Sequence, residues 1–147
     1  MHHLQLFADY FQFYVQDEPA SGDLSDAWSQ DAADRLLAVA PGVVGVGTVN
    51  NGNVPVTVEV LDVSPFDDSA GFDQVNECTL VVTQGPLVVA GCTDYFPDAA
   101  RIPAQPGIYR VRVSYRIADA PSAQELYRLQ LWPAPVIEPT VVKSRAA

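Results

Sequence analysis

The side chains with chemistry to offer in this chain are mostly carboxylates. Eighteen Asp and Glu stand beside two His and two Cys in 147 residues. His2 and His3 lie at the N-terminus, where chains fray, and no other histidine follows. A Ser or Cys nucleophile therefore has no histidine base in the body of the chain. Two Cys and two terminal His also fall short of a zinc site. Two loops concentrate acid. The segment from Asp62 to Asp73 carries Asp62, Asp67, Asp68 and Asp73, enough oxygen to ligate calcium. Their spacing lacks the alternation of an EF-hand loop, and a solvated acidic loop is the simpler expectation. The second loop, Thr93-Asp94-Tyr95-Phe96-Pro97-Asp98, sets two carboxylates around two aromatics. It reads either as Phe96 tucked into the core between solvated acids, or as a protein contact patch, because Tyr and Phe anchors are enriched at interfaces. Paired carboxylates could also serve a glycosidase, with Trp28 and Trp132 stacking on sugar rings. Both tryptophans are placed more simply beside a helix start and in a core strand.

Charge is divided unevenly along the chain. Residues 1–100 carry fifteen carboxylates and one base, Arg35, about −14; residues 101–147 carry three carboxylates and seven bases, about +4. The total of −10 repels nucleic acid and anionic membrane and attracts a basic partner. Arg110, Arg112 and Arg116 form a short basic row, expected to pair with carboxylates on a neighbouring strand such as Glu59 rather than with phosphate. Gly42, Gly45 and Gly47 do not open a helix, so no dinucleotide-binding loop is present. No cofactor is called for. The longest apolar run, Leu36 to Val49, is interrupted by Pro41 and three glycines and is too short to span a bilayer. The first residues lack the basic and apolar regions of a signal peptide, which points to the cytoplasm.

The elements that must position these residues are mainly strands. Tyr10 to Asp17 alternates, with Phe11, Phe13 and Val15 on one face. Ser29 is a good N-cap for a helix whose stripe is Ala33, Leu36, Leu37 and Ala40, with Trp28 stapled on Ala33 and Pro41-Gly42 as its stop. Val43–Val49 and Val54–Asp62 flank Asn50-Asn51-Gly52-Asn53, a hairpin signal. Cys78 to Cys92 reads as a hairpin turning at Gln84-Gly85-Pro86, which puts the cysteines opposite each other. They are either reduced core residues or a cross-strand disulfide. Ile108–Arg116 has Tyr109, Val111, Val113 and Tyr115 on one face, and Leu126–Trp132 is the last core strand. The sum is a mainly β chain: an antiparallel β-sandwich of seven or eight strands with one short helix near the N-terminus, which caps an open end or covers a sheet edge. Residues 1–132 form a single domain, and 133–147 a Pro-rich extended tail or poor edge strand.

The first sixty residues carry a resemblance. The order is Tyr10-Phe11-Gln12-Phe13 running to Gln16-Asp17, then Trp28-Ser29-Gln30-Asp31-Ala32, then Ala38-Val39-Ala40-Pro41-Gly42, Asn50 to Asn53 and Val54-Pro55-Val56-Thr57-Val58-Glu59-Val60. This resembles the competence-operon nuclease inhibitors and the small acidic bacterial immunity-type β-sandwich proteins around them. The cysteine segment and the Asp94–Asp98 loop lie outside the pattern. The resemblance implies a cytoplasmic, non-enzymatic inhibitor or immunity protein that neutralises a basic partner such as a nuclease or toxin. The contacts expected for it are Asp94, Tyr95, Phe96 and Asp98, helped by Asp67, Asp68 and Asp73. The alternative is a calcium- or carbohydrate-binding module without catalytic activity, with Asp62, Asp67, Asp68 and Asp73 as calcium ligands.

Overall fold

The computed structural model describes residues 1–117 and 125–145. Eleven strands among them build two sheets: β1 (His2–Phe7), β2 (Gln12–Asp17), β3 (Leu37–Ala40), β4 (Val43–Gly47), β5 (Asn53–Val60), β6 (Gln74–Val82), β7 (Leu87–Gly91), β8 (Ala100–Ile102), β9 (Gly107–Arg116), β10 (Leu126–Pro133) and β11 (Thr140–Lys143). The first sheet runs β1-β5-β10-β9-β6-β11 and the second β3-β4-β2-β7-β8. The chain is thus mainly β as expected, but with eleven strands rather than seven or eight. The six-stranded sheet is mixed, because β10 lies parallel to β5 while the other pairs are antiparallel.

Both sheets turn one face to a shared core. Val54, Val56 and Val58 of β5, Tyr109, Val111, Val113 and Tyr115 of β9, and Tyr127, Leu129 and Leu131 of β10 meet Phe13 and Val15 of β2, Val44 and Val46 of β4, and Leu87 and Val89 of β7. The period-two pattern of these segments places one face of each in this layer. Tyr127 joins the layers directly: its ring stands edge-on to Phe13 at 5.7 Å and to Tyr115 at 5.3 Å.

Three local expectations change. The helix α1 (Gln30–Arg35) starts as read, with the Ser29 hydroxyl accepting from the Ala32 N–H at 3.2 Å. It stops five residues early, at Leu36 in the left-handed region. Its buried residue is Ala32, while Ala33, the expected staple, is exposed. The reason is tertiary. Gln74 and Asn76 each donate to the Arg35 carbonyl at 2.7 Å, and the Tyr115 hydroxyl donates to the Leu36 carbonyl. Carbonyls that a longer helix would use are held by β6 and β9 instead, and Leu37–Ala40 peels off to pair with β4. The helix end is therefore docked on the six-stranded sheet.

The cysteine hairpin does not exist. β6 pairs with β9 in one sheet and β7 with β2 in the other, so Gln84-Gly85-Pro86 hands the chain across the core. Asp17 makes this crossing possible. Its carboxylate accepts from the Thr83 N–H (2.8 Å), the Thr83 hydroxyl (2.5 Å), the Gly85 N–H (2.8 Å) and, more loosely, the Gln84 N–H. Gly85 has φ +71°, and a Cβ there would lie 2.4 Å from the Ala104 carbonyl. Cys78 is buried, Cys92 is exposed, and both are free; they belong to different layers, which removes the cross-strand disulfide. Finally, His2 and His3 sit in a strand paired with β5, and Thr140–Lys143 of the C-terminal segment pairs with β6.

Candidate functional site

The acidic residues singled out in the sequence fall into two groups that the fold keeps apart. Asp67, Asp68 and Asp73 belong to a loop laid over the outer face of the six-stranded sheet, where Arg110, Arg112 and Arg116 of β9 alternate with its inward residues and Arg128 of β10 stands beside them. The sheet's own bases hold this loop. Arg128 grips Asp68 through two hydrogen bonds of 2.7 Å, Arg112 donates to the Phe66 carbonyl, and Lys143 donates to the Ser69 and Phe72 carbonyls. Phe72 lies under the guanidinium of Arg128 at 4.4 Å and of Arg116 at 5.5 Å. Arg110 and Arg112 pair with Glu77 of β6, at 3.6 and 2.8 Å, not with Glu59. β6, the direct neighbour of β9, puts Glu77 opposite Arg112 in register.

The four candidate calcium ligands do not converge. Asp68 is engaged with Arg128. Asp67 accepts the Ser69 N–H at 2.9 Å and Asp73 the Ile117 N–H at 2.7 Å, while Asp62 stands exposed. Among the described residues no three His, Cys, Asp or Glu side chains come together as a metal site. The Arg128 hydrogen bonds lower the Asp68 pKa against burial, and the Ser69 hydrogen bonds lower that of Asp67. Of the two tryptophans, Trp132 is buried and lies under Arg112 at 4.9 Å, while half-buried Trp28 donates to Gln12 at 3.0 Å.

The second group, Asp94 to Asp98, follows β7 in the other sheet. Asp94 accepts the Gly91 N–H at 2.8 Å, which closes a turn. Tyr95 is 70% exposed, and Asp98 is exposed at the end of a short turn Phe96–Asp98. Phe96 is structural: Arg101 stacks on its ring at 4.9 Å and donates to its carbonyl at 2.6 Å, while reaching Glu18 at 3.1 Å. Asp94, Tyr95 and Asp98 line a cleft of about 410 Å³ together with Leu4, Gln5 and Leu6 of β1.

Beside this loop lies a feature the sequence did not disclose. Tyr10 and Phe11, read there as strand, form the turn between β1 and β2 and both adopt left-handed backbone, φ +57° and +59°. Each such residue costs about 1–2 kcal/mol, and aromatic residues rarely adopt it. The ends of the turn enforce it. Ala8 is fully buried and donates to the Gly52 carbonyl at 2.7 Å; the Phe11 carbonyl accepts the Thr48 N–H at 2.8 Å. Chain direction is fixed on both sides while the aromatic rings face out, Tyr10 69% and Phe11 53% exposed. The end of β1 that leads into the turn abuts the end of β7: a Cβ on Gly91 would meet the Phe7 carbonyl at 2.3 Å and the Asp94 carboxylate at 3.5 Å. Burial, then Asp9 and Asp94, raise the pKa of the Cys92 thiol between them. Among the described residues no base pairs with Asp9, Asp94 or Asp98.

Two stacked sheets, with a short helix docked through its C-terminal carbonyls, form a β-rich two-layer fold. Its particular likenesses are two solved structures. One is ComJ from Bacillus subtilis, inhibitor of the DNA-degrading activity of NucA, with a TM-score of 0.74 at 15% identity over 91% of this chain and 96% of that one. The other is the product of crocagin biosynthetic gene J, with a TM-score of 0.63 at 17% identity over 90% and 96%. No family model matches the chain, and no curated protein matches it by sequence. The fold expected from the first sixty residues thus extends over nearly the whole chain.

Proposed function

We propose that this chain is an acidic inhibitor or immunity protein that binds and neutralises a basic protein, a nuclease first of all, in the bacterial cytoplasm. The observation that carries the reading is that Asp9, Asp94 and Asp98 stand without basic partners among the described residues, each close in sequence to an exposed aromatic ring, Tyr10 or Tyr95. Uncompensated carboxylates give fast, salt-sensitive association with a basic substrate cleft, and exposed aromatics supply the apolar contact that holds it. The same field disfavours nucleic acid and anionic membrane as partners, and the task requires no catalytic residue. The likeness to ComJ, itself a nuclease inhibitor, supports the reading. Of the contacts expected from the sequence, Tyr95 and Asp98 present themselves for this role and Asp94 does so with one oxygen. Phe96, Asp67, Asp68 and Asp73 are occupied within the chain.

The test uses the purified chain as bait in lysate of its own cell at low and at high salt. The protein retained at low salt is purified and assayed for DNA degradation with and without the chain. Retention of a basic nuclease, its release by salt and its stoichiometric inhibition are expected. A retained protein that is acidic, or a nuclease whose activity the chain leaves intact, would defeat the proposal.

A further inference from the structure

We infer that the Tyr10–Phe11 turn is the anchor by which this chain seats on its basic partner, with Asp9, Asp94 and Tyr95 as its surround; the inference rests on the inhibitor reading above. Exposed large apolar side chains scattered singly need no explanation. Here they are grouped: Phe7, Tyr10 and Phe11 lie within five consecutive residues, and Phe7 packs on Gly91, from which the Asp94–Tyr95 loop leads away. The backbone that displays them is left-handed at two consecutive non-glycine residues. Glycine or asparagine would meet the same geometry with less strain, so the position keeps bulky aromatics at a cost to the fold. Strain of this kind concentrates where a side chain must be presented.

The surroundings decide the occupant. Asp9 precedes the turn, and Asp94 holds the Gly91 N–H at 2.8 Å, next to the Phe7 carbonyl that leads into the turn. Arg101, the base next to the Asp94–Asp98 loop, is committed to Glu18 and to the Phe96 and Ala99 carbonyls. An apolar centre ringed by unpaired acid is the complement of a basic cleft with an apolar floor, and it repels an acidic or nucleic-acid partner. Fixed at both ends, at Ala8 and at the Phe11 carbonyl, the turn enters a complex with little conformational freedom left to lose.

The experiment compares the full chain with the Tyr10→Asn/Phe11→Asn double variant, because asparagine tolerates left-handed backbone. Melting temperature is measured first. Affinity is then measured by titration against the basic protein that the wild-type chain retains at low salt, purified. Failure of the wild-type chain to bind any basic protein removes the inhibitor reading, and this inference with it. Where the wild-type chain binds, a variant with unchanged or higher melting temperature and at least tenfold weaker affinity supports the anchor. Affinity within twofold of wild type overturns the anchor and leaves the inhibitor reading standing. A melting temperature lowered by more than a few degrees overturns the argument that the turn is strained for display. An Asp9→Asn variant, with the aromatics intact, is expected to slow association several-fold at low salt and to match wild type at high salt. Equal association at both salt levels overturns the acidic surround.

Discussion

The outer face of the six-stranded sheet and the end of the molecule around Tyr10 and Tyr95 hold comparable chemistry, acid beside aromatic rings, and put it to opposite uses. On the sheet face Asp68 is bound by Arg128, Glu77 by Arg110 and Arg112, and Phe72 lies beneath two guanidinium groups. Charge and ring are spent on fastening a loop. At the other end Asp9 and Asp98 have no basic partner among the described residues, and the rings of Tyr10, Phe11 and Tyr95 are exposed. A count of carboxylates cannot separate the two regions; only the location of the bases can. All bases from Arg110 onward are drawn to the sheet face, its β11 edge or the nearby helix end, which leaves the negative field concentrated elsewhere.

The contrast predicts that spent carboxylates report on stability and unspent ones on association. Asp17 is the extreme of the spent class, and its loss should have the largest effect. Asp17→Ala leaves the Thr83 and Gly85 donors unsatisfied at the crossing between sheets and should destabilise the fold by about 2–4 kcal/mol in urea unfolding. Burial opposes ionisation of Asp17, but the Thr83, Gly85 and Gln84 hydrogen bonds outweigh it, so its pKa is lowered. A folded pKa below the unfolded value means that this stabilisation is complete above the ordinary carboxylate range. It is lost as pH falls through the lower, folded value. The drop in melting temperature under acid should therefore be blunted in Asp17→Asn; an unchanged acid profile would show that other groups govern it.

Next in size is the Asp68–Arg128 pair. A double-mutant cycle with Ala at each position should give a coupling of about 1 kcal/mol, because the pair is bidentate though partly exposed. Zero coupling would erase the distinction between the two regions. Asp98→Asn, by contrast, should change stability by less than about 0.5 kcal/mol while reducing the salt dependence of partner association. The smallest effect concerns Cys92. Burial, then Asp9 and Asp94, raise its pKa, so its alkylation near pH 8 should be slower than that of a free thiol and should quicken modestly as salt screens the two carboxylates. Cys78, whose pKa burial pushes up to about 12, should label only on unfolding.

What the sequence discloses here is local. Tyr109, Val111, Val113 and Tyr115 alternate within ten residues, and their strand and inward face follow from that period alone. Ser29 and Ala32 define the helix start within three residues. The misreadings all involve a partner far along the chain. Gln84-Gly85-Pro86 has the composition of a hairpin turn, and what makes it a crossing is the carboxylate of Asp17, more than sixty residues away. Leu36, Leu37 and Ala40 keep helical spacing, yet Gln74, Asn76 and Tyr115 take the carbonyls that would have continued the helix. In the candidate site, the Asp94–Asp98 loop was visible as an acid–aromatic cluster. The turn at Tyr10–Phe11 was not, since no local rule assigns left-handed backbone to consecutive aromatics. Its one local trace is a change of parity: Leu4, Leu6 and Ala8 alternate on even positions and Phe11, Phe13 and Val15 on odd ones, so the register must shift at Asp9-Tyr10.

The parallel pairing of β5 with β10 has a consequence for assembly. β10 lies between β5 and β9 at the centre of its sheet, although only β11 follows it among the described strands. Without residues 126–133 the six-stranded sheet is two pieces, β1-β5 and β9-β6-β11, with unfilled facing edges, while the two halves of the chain already meet in the five-stranded sheet, where β2 pairs with β7. Contacts this distant in sequence close slowly, so filling that gap is the step that makes the six strands one sheet.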